Sequence, residues 1–303
     1  MPETIIRPSS PVRSGTARDP ASLARSSGGY AMLAIDQREA LRAMLAEHTT
    51  GPVSDATVTD FKLAVTRALS PFASAILLDR DFIWDRAIAE RAVAPSCALI
   101  AAADRFIPSE AEFVADVEID DAVVPDMVRD QGATALKLLV IWRPDEPAEP
   151  RIAMVRRFVT RCRAAGLVSI IEPVARRSRH GGRFDWEAGV IAAARELGAL
   201  GADLYKAEVP LHGNGAEAAI RIACTALTRA IASPWVVLSS GVEPDKFPRA
   251  VALACAEGAS GFLAGRAVWQ PVIGMADRGA ALASAAADRL KRLCEITDRA
   301  MVR

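Results

Sequence analysis

The chain is short of lysine, histidine and tyrosine, and it lacks any excess of charge. Lysines and arginines together number 37, yet only Lys62, Lys137, Lys206, Lys246 and Lys291 are lysine. The histidines, His48, His180 and His212, share no close spacing, which argues against a histidine-built metal centre. Cys97, Cys162, Cys224, Cys255 and Cys294 are odd in number and far apart, with no metal or disulfide spacing. They are expected to be reduced core thiols in a cytoplasm. The 37 basic residues are matched by 37 acidic ones, so nothing points to nucleic acid or an anionic membrane as a partner. No apolar stretch approaches the roughly 18 residues a transmembrane helix needs.

What remains is an ordinary globular composition of 303 residues, 51% hydrophobic and 24% charged, long enough for one large domain or two smaller ones. Residues 1–29 differ from the rest. Ser, Arg, Pro and Gly dominate there and no periodicity appears, so a flexible or loosely docked tail is expected. Its arginines and serines could also mimic an organellar transit peptide, while the apolar core of a secretory signal is missing.

From residue 30 onward, short apolar runs alternate with amphipathic stretches. The runs cover 30–36, 74–79, 97–102, 135–142, 168–174, 204–209, 235–241 and 261–269, each near strand length and rich in Val, Ile, Leu or Ala. Helical spacing lies between them, as in Val58-Phe61-Val65-Leu69, Met154-Phe158-Cys162, Val190-Ala193-Leu197 and the apolar set Ile222, Leu227 and Ile231. Eight strands with intervening helices and a C-terminal helical stretch predict a (β/α)8 barrel, with 30–303 as a single domain. A doubly wound open sheet would usually place a glycine-rich turn after its first strand. Here Asp36-Gln-Arg-Glu39 stands in that position.

Two of the five lysines interrupt apolar strands. Lys206 stands in Leu204-Tyr-Lys-Ala-Glu-Val209, and Lys137 in Ala135-Leu-Lys-Leu-Leu-Val-Ile-Trp142. An ammonium group in such surroundings loses hydration, so its pKa falls and the nucleophilic amine becomes accessible. Arginine could carry a charge there but could not form an imine. The plainer alternative is a lysine whose stem packs while its head reaches water.

A barrel carries its functional groups at the C-terminal ends of its strands. Those ends supply Asp36 and Gln37, Asp79, Lys137, Glu172, Lys206 with Glu208, Ser239-Ser240-Gly241, and Gly265-Arg266. The turns after strands seven and eight sit where barrels commonly bind phosphate, using backbone N–H groups, with Arg266 as a bidentate cation. Gly241 and Gly265 could equally serve tight turns alone. A lysine nucleophile, a second lysine, a carboxylate and an anion clamp suggest imine chemistry on a phosphorylated carbonyl compound. Lys206 would form the iminium, and a cationic Lys137 would keep it neutral by like-charge repulsion. Glu172 would shuttle protons, with Asp36 second. Glu172 could instead pair with Arg176 or Lys137, and Asp36 could cap the following helix.

Four segments, 34–41, 135–143, 202–210 and 238–242, resemble the class I tagatose-1,6-bisphosphate aldolase superfamily. Within it, Ser169-Ile-Ile-Glu-Pro-Val174 and Gly258-Ala-Ser-Gly-Phe-Leu-Ala-Gly-Arg-Ala-Val-Trp269 are most similar to the sulfofructosephosphate aldolases of sulfoglycolysis. The resemblance covers about residues 26 to 302. It implies a metal-free, cofactor-free barrel that cleaves 6-deoxy-6-sulfofructose 1-phosphate into dihydroxyacetone phosphate and sulfolactaldehyde through a Schiff base. It would make Lys206 the imine lysine, with Asp36, Lys137 and Glu172 lining the reacting carbons. Ser239, Ser240, Gly241, Gly265 and Arg266 would hold the phosphate, and Gln37 with Arg266 would help hold the sulfonate. Arg176, Arg177 and Arg179 could read the distal anion or form a solvated basic loop. Tagatose- or fructose-1,6-bisphosphate cleavage, or a non-catalytic sugar-phosphate-binding barrel, are the competing expectations. Barrel aldolases are commonly oligomeric, so a homo-oligomer is expected.

Overall fold

The computed structural model describes residues 18–302. Eight parallel strands close into a barrel: β1 (Tyr30–Ala34), β2 (Ala75–Leu78), β3 (Ala98–Ala102), β4 (Ala133–Trp142), β5 (Val168–Ala175), β6 (Leu204–Ala207), β7 (Trp235–Val237) and β8 (Gly261–Ala264). The expected (β/α)8 barrel is therefore the fold observed. Closure comes from β1, which pairs with β2 on one side and β8 on the other, Met32 facing Ala75 and Tyr30 facing Gly261.

Strand alternation sorts the side chains into two layers. Met32, Ala34, Leu77, Ile100, Ala102, Ala135, Ile170, Leu204, Val236 and Leu263 form one buried cluster that fills the barrel, while the residues between them pack outward in the larger cluster shared with the helices. Small alanines are needed inside because eight strands leave an interior just wide enough for side chains. Moving two residues further along each strand keeps the inward direction. Ala34 is thus followed by Asp36, Ala102 by Asp104, Ala135 by Lys137, Ile170 by Glu172 and Leu204 by Lys206. One apolar layer is capped by one charged layer.

The helices α1 (Glu39–Ala46), α2 (Asp55–Leu69), α3 (Trp84–Ala89), α4 (Pro125–Asp130), α5 (Ala148–Ala164), α6 (Trp186–Leu197), α7 (Glu217–Ala230) and α8 (Phe247–Ala256) pack outside. In α2, Ser54 caps the first turn by accepting the Thr57 N–H, and Val58, Phe61, Val65 and Leu69 are buried as their spacing predicts. The apolar face of α7 differs from expectation. It is Ile220, Ala223, Cys224 and Leu227, while Ile222 points to solvent at 72% exposure. A hundred-degree turn per residue carries position 222 away from Leu227.

Two strands end earlier than expected. The run 261–269 divides after Ala264, where Gly265 leaves the extended region and Arg266–Trp269 turn into a short helix. The run 235–241 pairs only through Val237, leaving Ser239–Gly241 as a turn. An insertion unexpected from the sequence follows β3: an antiparallel hairpin of Asp104–Ile107 and Asp116–Ile119, before α4.

Part of the expected N-terminal tail is fastened to the barrel. Leu23, in a short helix at Pro20–Leu23, is fully buried within the interior cluster beneath Tyr30. Arg18 pairs with Asp203 at 2.6 Å, and Arg25 with Asp298 at 2.9 Å. Positions 1–17, with Arg7, Arg13, Ser9, Ser10 and Ser14 of the segment that suggested a transit peptide, lie outside the described residues.

Candidate active site

Glu172 at the mouth of the barrel stands between the two strand lysines. One of its oxygens lies 2.9 Å from the Lys206 ammonium nitrogen and the other 2.9 Å from that of Lys137. Lys137 also contacts Asp36 at 2.7 Å and Asp104 at 2.9 Å. All five side chains are buried. The plainer expectation of stems packed and heads in water fails for both lysines.

Asp104 is absent from the sequence-based list, although it lies two residues beyond Ala102 in the same inward register as Lys137. It accepts the Leu139 N–H at 3.0 Å and an Arg38 N–H at 3.1 Å in addition to Lys137. Arg38 spans from there to Asp81 at 2.9 Å, with its guanidinium 3.9 Å above the Phe106 ring. The hairpin thus supplies a carboxylate underneath and an aromatic wall above.

Burial alone would discharge Lys137, but Asp104, Asp36 and Glu172 outweigh it and hold its pKa well above the ordinary lysine value. Asp36 shows the complement. Burial disfavours its charge, yet Lys137, Lys206 and Arg38 pull its pKa far below the usual carboxylate range. Lys137 and Asp36 are therefore a fixed ion pair. The like-charge repulsion expected between the lysines is moderated because Glu172 lies between them. Of the alternatives open from sequence, Glu172 pairs with Lys137 and not with Arg176, and α1 has no side-chain cap, so Asp36 does not serve as one.

Two other strand-end carboxylates have separate partners. Asp79 pairs with Lys62, a fully buried residue of α2, and burial pushes the Lys62 pKa down and that of Asp79 up. Its other oxygen accepts the Phe82 N–H at 2.9 Å, so the pair fixes the turn that carries Asp81. Glu208 accepts the Ala175 N–H at 2.7 Å, and burial pushes its carboxyl up to about 8.

The expected anion turns adjoin one another. Arg266 donates to the Ser240 hydroxyl, and the Ser239 hydroxyl accepts the Ala267 N–H at 3.4 Å. Gly241 has φ +75°, and a Cβ there would collide with the ring of His212. A Cβ on Gly265 would collide with the Ala34 carbonyl, so this glycine lets the turn lie against β1. Both glycines have steric duties, whatever the turns bind. A cleft of about 660 Å³ opens above these groups, lined by Asp36, Gln37, Lys137, Glu172, Ser240 and Arg266 among others. The Gln37 Oε1 is buried without a hydrogen-bond partner. Asp36, Asp104 and Glu172 converge on an ammonium group, and no cluster of three or more His, Cys, Asp or Glu suited to a metal ion occurs among the described residues. No helix among them is long and apolar enough to cross a membrane.

A closed (β/α)8 barrel with buried lysines and carboxylates at its C-terminal mouth has the architecture of a barrel aldolase. The chain belongs to the DeoC/LacD family of aldolases, whose family model matches residues 30–271. It is thus a lyase, and the reading as a non-catalytic barrel falls away. Tagatose 1,6-diphosphate aldolase of Listeria monocytogenes serotype 4a (strain HCC23) is 28% identical over 271 residues, 82% of this chain and 79% of that one. The enzyme of the same name from Staphylococcus haemolyticus (strain JCSC1435) is 26% identical, covering 83% and 84%. Among solved structures, fructose-bisphosphate aldolase from Plasmodium falciparum superposes with a TM-score of 0.64 at 15% identity, covering 92% of both chains. An archaeal fructose-1,6-bisphosphate aldolase whose catalytic lysine carries a carbinolamine gives 0.62 at 17%, covering 92% and 97%. At these identities the structural likeness concerns the fold.

Proposed function

We propose that the chain is a Schiff-base aldolase with Lys206 as its nucleophile. Its substrate would be a ketose 1-phosphate with a second anion at the far end, first of all 6-deoxy-6-sulfofructose 1-phosphate. The observation that carries this reading is the position of Glu172, within hydrogen-bonding distance of both Lys206 and Lys137.

The neutral amine of Lys206 adds to the ketone carbon, and loss of water from the carbinolamine leaves an iminium. Glu172 takes the proton from the hydroxyl two carbons away as the intervening C–C bond breaks. The bonding electrons flow into the iminium, giving an enamine and a free aldehyde. Protonation and hydrolysis of the enamine release dihydroxyacetone phosphate and restore Lys206. Lys137, kept cationic by three carboxylates, supplies a fixed positive charge beside the hydroxyl as it ionises. The Ser239–Gly241 turn, Gly265 and Arg266 would hold the 1-phosphate.

The strand-five and strand-eight segments favour the sulfosugar, with sulfolactaldehyde as the second product and sulfoquinovose breakdown as the setting. The names of the curated relatives favour tagatose 1,6-bisphosphate as the alternative. Borohydride reduction in the presence of dihydroxyacetone phosphate should add mass to the peptide containing Lys206, and Lys206→Ala should abolish both adduct and turnover. The ratio of kcat/KM for the sulfonate and bisphosphate sugars decides between substrates: a value well below one favours the bisphosphate.

A further inference from the structure

Five cations line the cleft, and they divide into two sets. Arg38 is paired with Asp81 and Asp104, Arg105 with Glu118, and Lys137 with three carboxylates. Arg176 and Arg266 have no carboxylate among the described residues within ion-pairing distance. Arg266 bonds the Ser240 hydroxyl in the phosphate turn, whereas Arg176 reaches only the neighbouring Ala175 carbonyl, at 3.1 Å.

We infer that Arg176 binds the anionic group at the end of the sugar remote from the imine, a tetrahedral phosphate or sulfonate. This rests on the aldolase reading above and extends it to a specificity-determining residue. The position of Arg176 follows from strand register. Its N–H donates to the Trp142 carbonyl at 2.9 Å, continuing the β4–β5 ladder one residue past Ala175. Glu172, Val174 and Arg176 therefore share one face, with the Arg176 backbone about 13 Å up-strand from that of Glu172. The reacting bond is placed at Glu172, the 1-phosphate at β7 and β8, and the far end of the chain then rises along β5.

The neighbouring arginines are committed elsewhere. Arg179 bonds Glu146 at 2.6 Å and Asp116 at 3.3 Å. Arg177 is exposed, and its carbonyl accepts from Arg143. Glu208 lies close enough to Arg176 to feel its charge, but with its carboxyl pushed up to about 8 it is mostly protonated near neutral pH and leaves that charge uncompensated. A planar guanidinium offers two parallel N–H groups to the oxygens of either anion.

The test compares Arg176→Ala, Arg176→Lys and, as a control, Arg177→Ala on three substrates: the sulfonated ketose 1-phosphate, the 1,6-bisphosphate and fructose 1-phosphate, whose far end is neutral. Arg176→Ala should lower kcat/KM about 10- to 100-fold on the doubly anionic substrates, mainly through KM. On fructose 1-phosphate it should change little, and the borohydride-trapped adduct with dihydroxyacetone phosphate should still form. Arg176→Lys should recover part of the loss, and Arg177→Ala should match the parent. The relative losses on sulfonate and phosphate show which anion the residue reads better. An equal drop on all three substrates, or loss of the adduct in Arg176→Ala, would overturn the assignment. Failure of the unsubstituted enzyme to form any adduct would instead remove the aldolase reading, and this inference with it.

Discussion

The Lys137 ammonium lies 2.9 Å from Asp104, a carboxylate delivered by the hairpin inserted after β3. Asp104 does not itself line the cleft, so it acts by holding Lys137. Asp104→Asn keeps the shape and removes one of three negative charges from Lys137. We expect kcat to fall about 100-fold, the scale of a misplaced catalytic group, with the yield of the dihydroxyacetone phosphate adduct at Lys206 largely retained. Unchanged kcat in a variant that melts normally would reduce Asp104 to a scaffold residue.

Lys137→Met removes the cation from beneath Asp36, Asp104 and Glu172. Breaking a buried charge network by deleting one partner costs about 3–5 kcal/mol, and thermal melting should show it. Asp36 sets the pH dependence. Its folded pKa is depressed, so its stabilising contribution is present above the unfolded value and lost as pH falls through the folded one. Without Lys137 that contribution vanishes, and the gap in melting temperature between parent and variant should narrow in acid. A gap that stays constant as pH falls from about 4 to about 2 would contradict the electrostatic account.

Glu208 should leave the opposite signature. Its folded pKa, about 8, lies above its ordinary 4.5, so over that range the folded state keeps a proton that the unfolded chain has lost. Stability is then greatest below the unfolded value and declines as pH rises through the folded one. Glu208→Gln can still accept the Ala175 N–H through its amide oxygen. Relative to the parent it should gain stability as pH rises from about 5 to about 8, measured by urea midpoints. Parallel curves would show that Glu208 ionises normally.

The His212 ring occupies the space a side chain at 241 would need, and both His212 (φ +50°) and Gly241 (φ +75°) have left-handed backbone. Gly241→Ala should therefore be destabilised by about 1–3 kcal/mol and should raise KM for the phosphorylated substrate. Adding His212→Ala should recover part of the loss by removing the collision, while the strain at φ remains. Strict additivity of the two changes in melting and in KM would mean that they are not in contact.

The barrel was legible because its signals are local. Strand-length apolar runs alternating with helical spacing are written in neighbouring residues, and so is a lysine set among Leu, Val and Ile. Asp36, Lys137, Glu172 and Lys206 could be named from strand ends alone, and the fold brings all four together. Two errors had local causes as well: Gly265 and Ser239 continue apolar runs that the backbone leaves, and Ile222 is apolar on a polar face.

Sequence by itself determined the barrel, the family and the kinds of group at its mouth, since side-chain period and residue type need no distant partner to be recognised. Tertiary structure alone decided the pairings. Closure of eight strands gathers positions 36, 104 and 172 around the Lys137 ammonium, sets Lys206 against Glu172, assigns Asp79 to a lysine on a helix, and separates Arg176 from Arg177 and Arg179. A charge becomes fixed, shared or free to meet a ligand according to what lies within about 4 Å of it, and that neighbourhood exists only once the chain has folded.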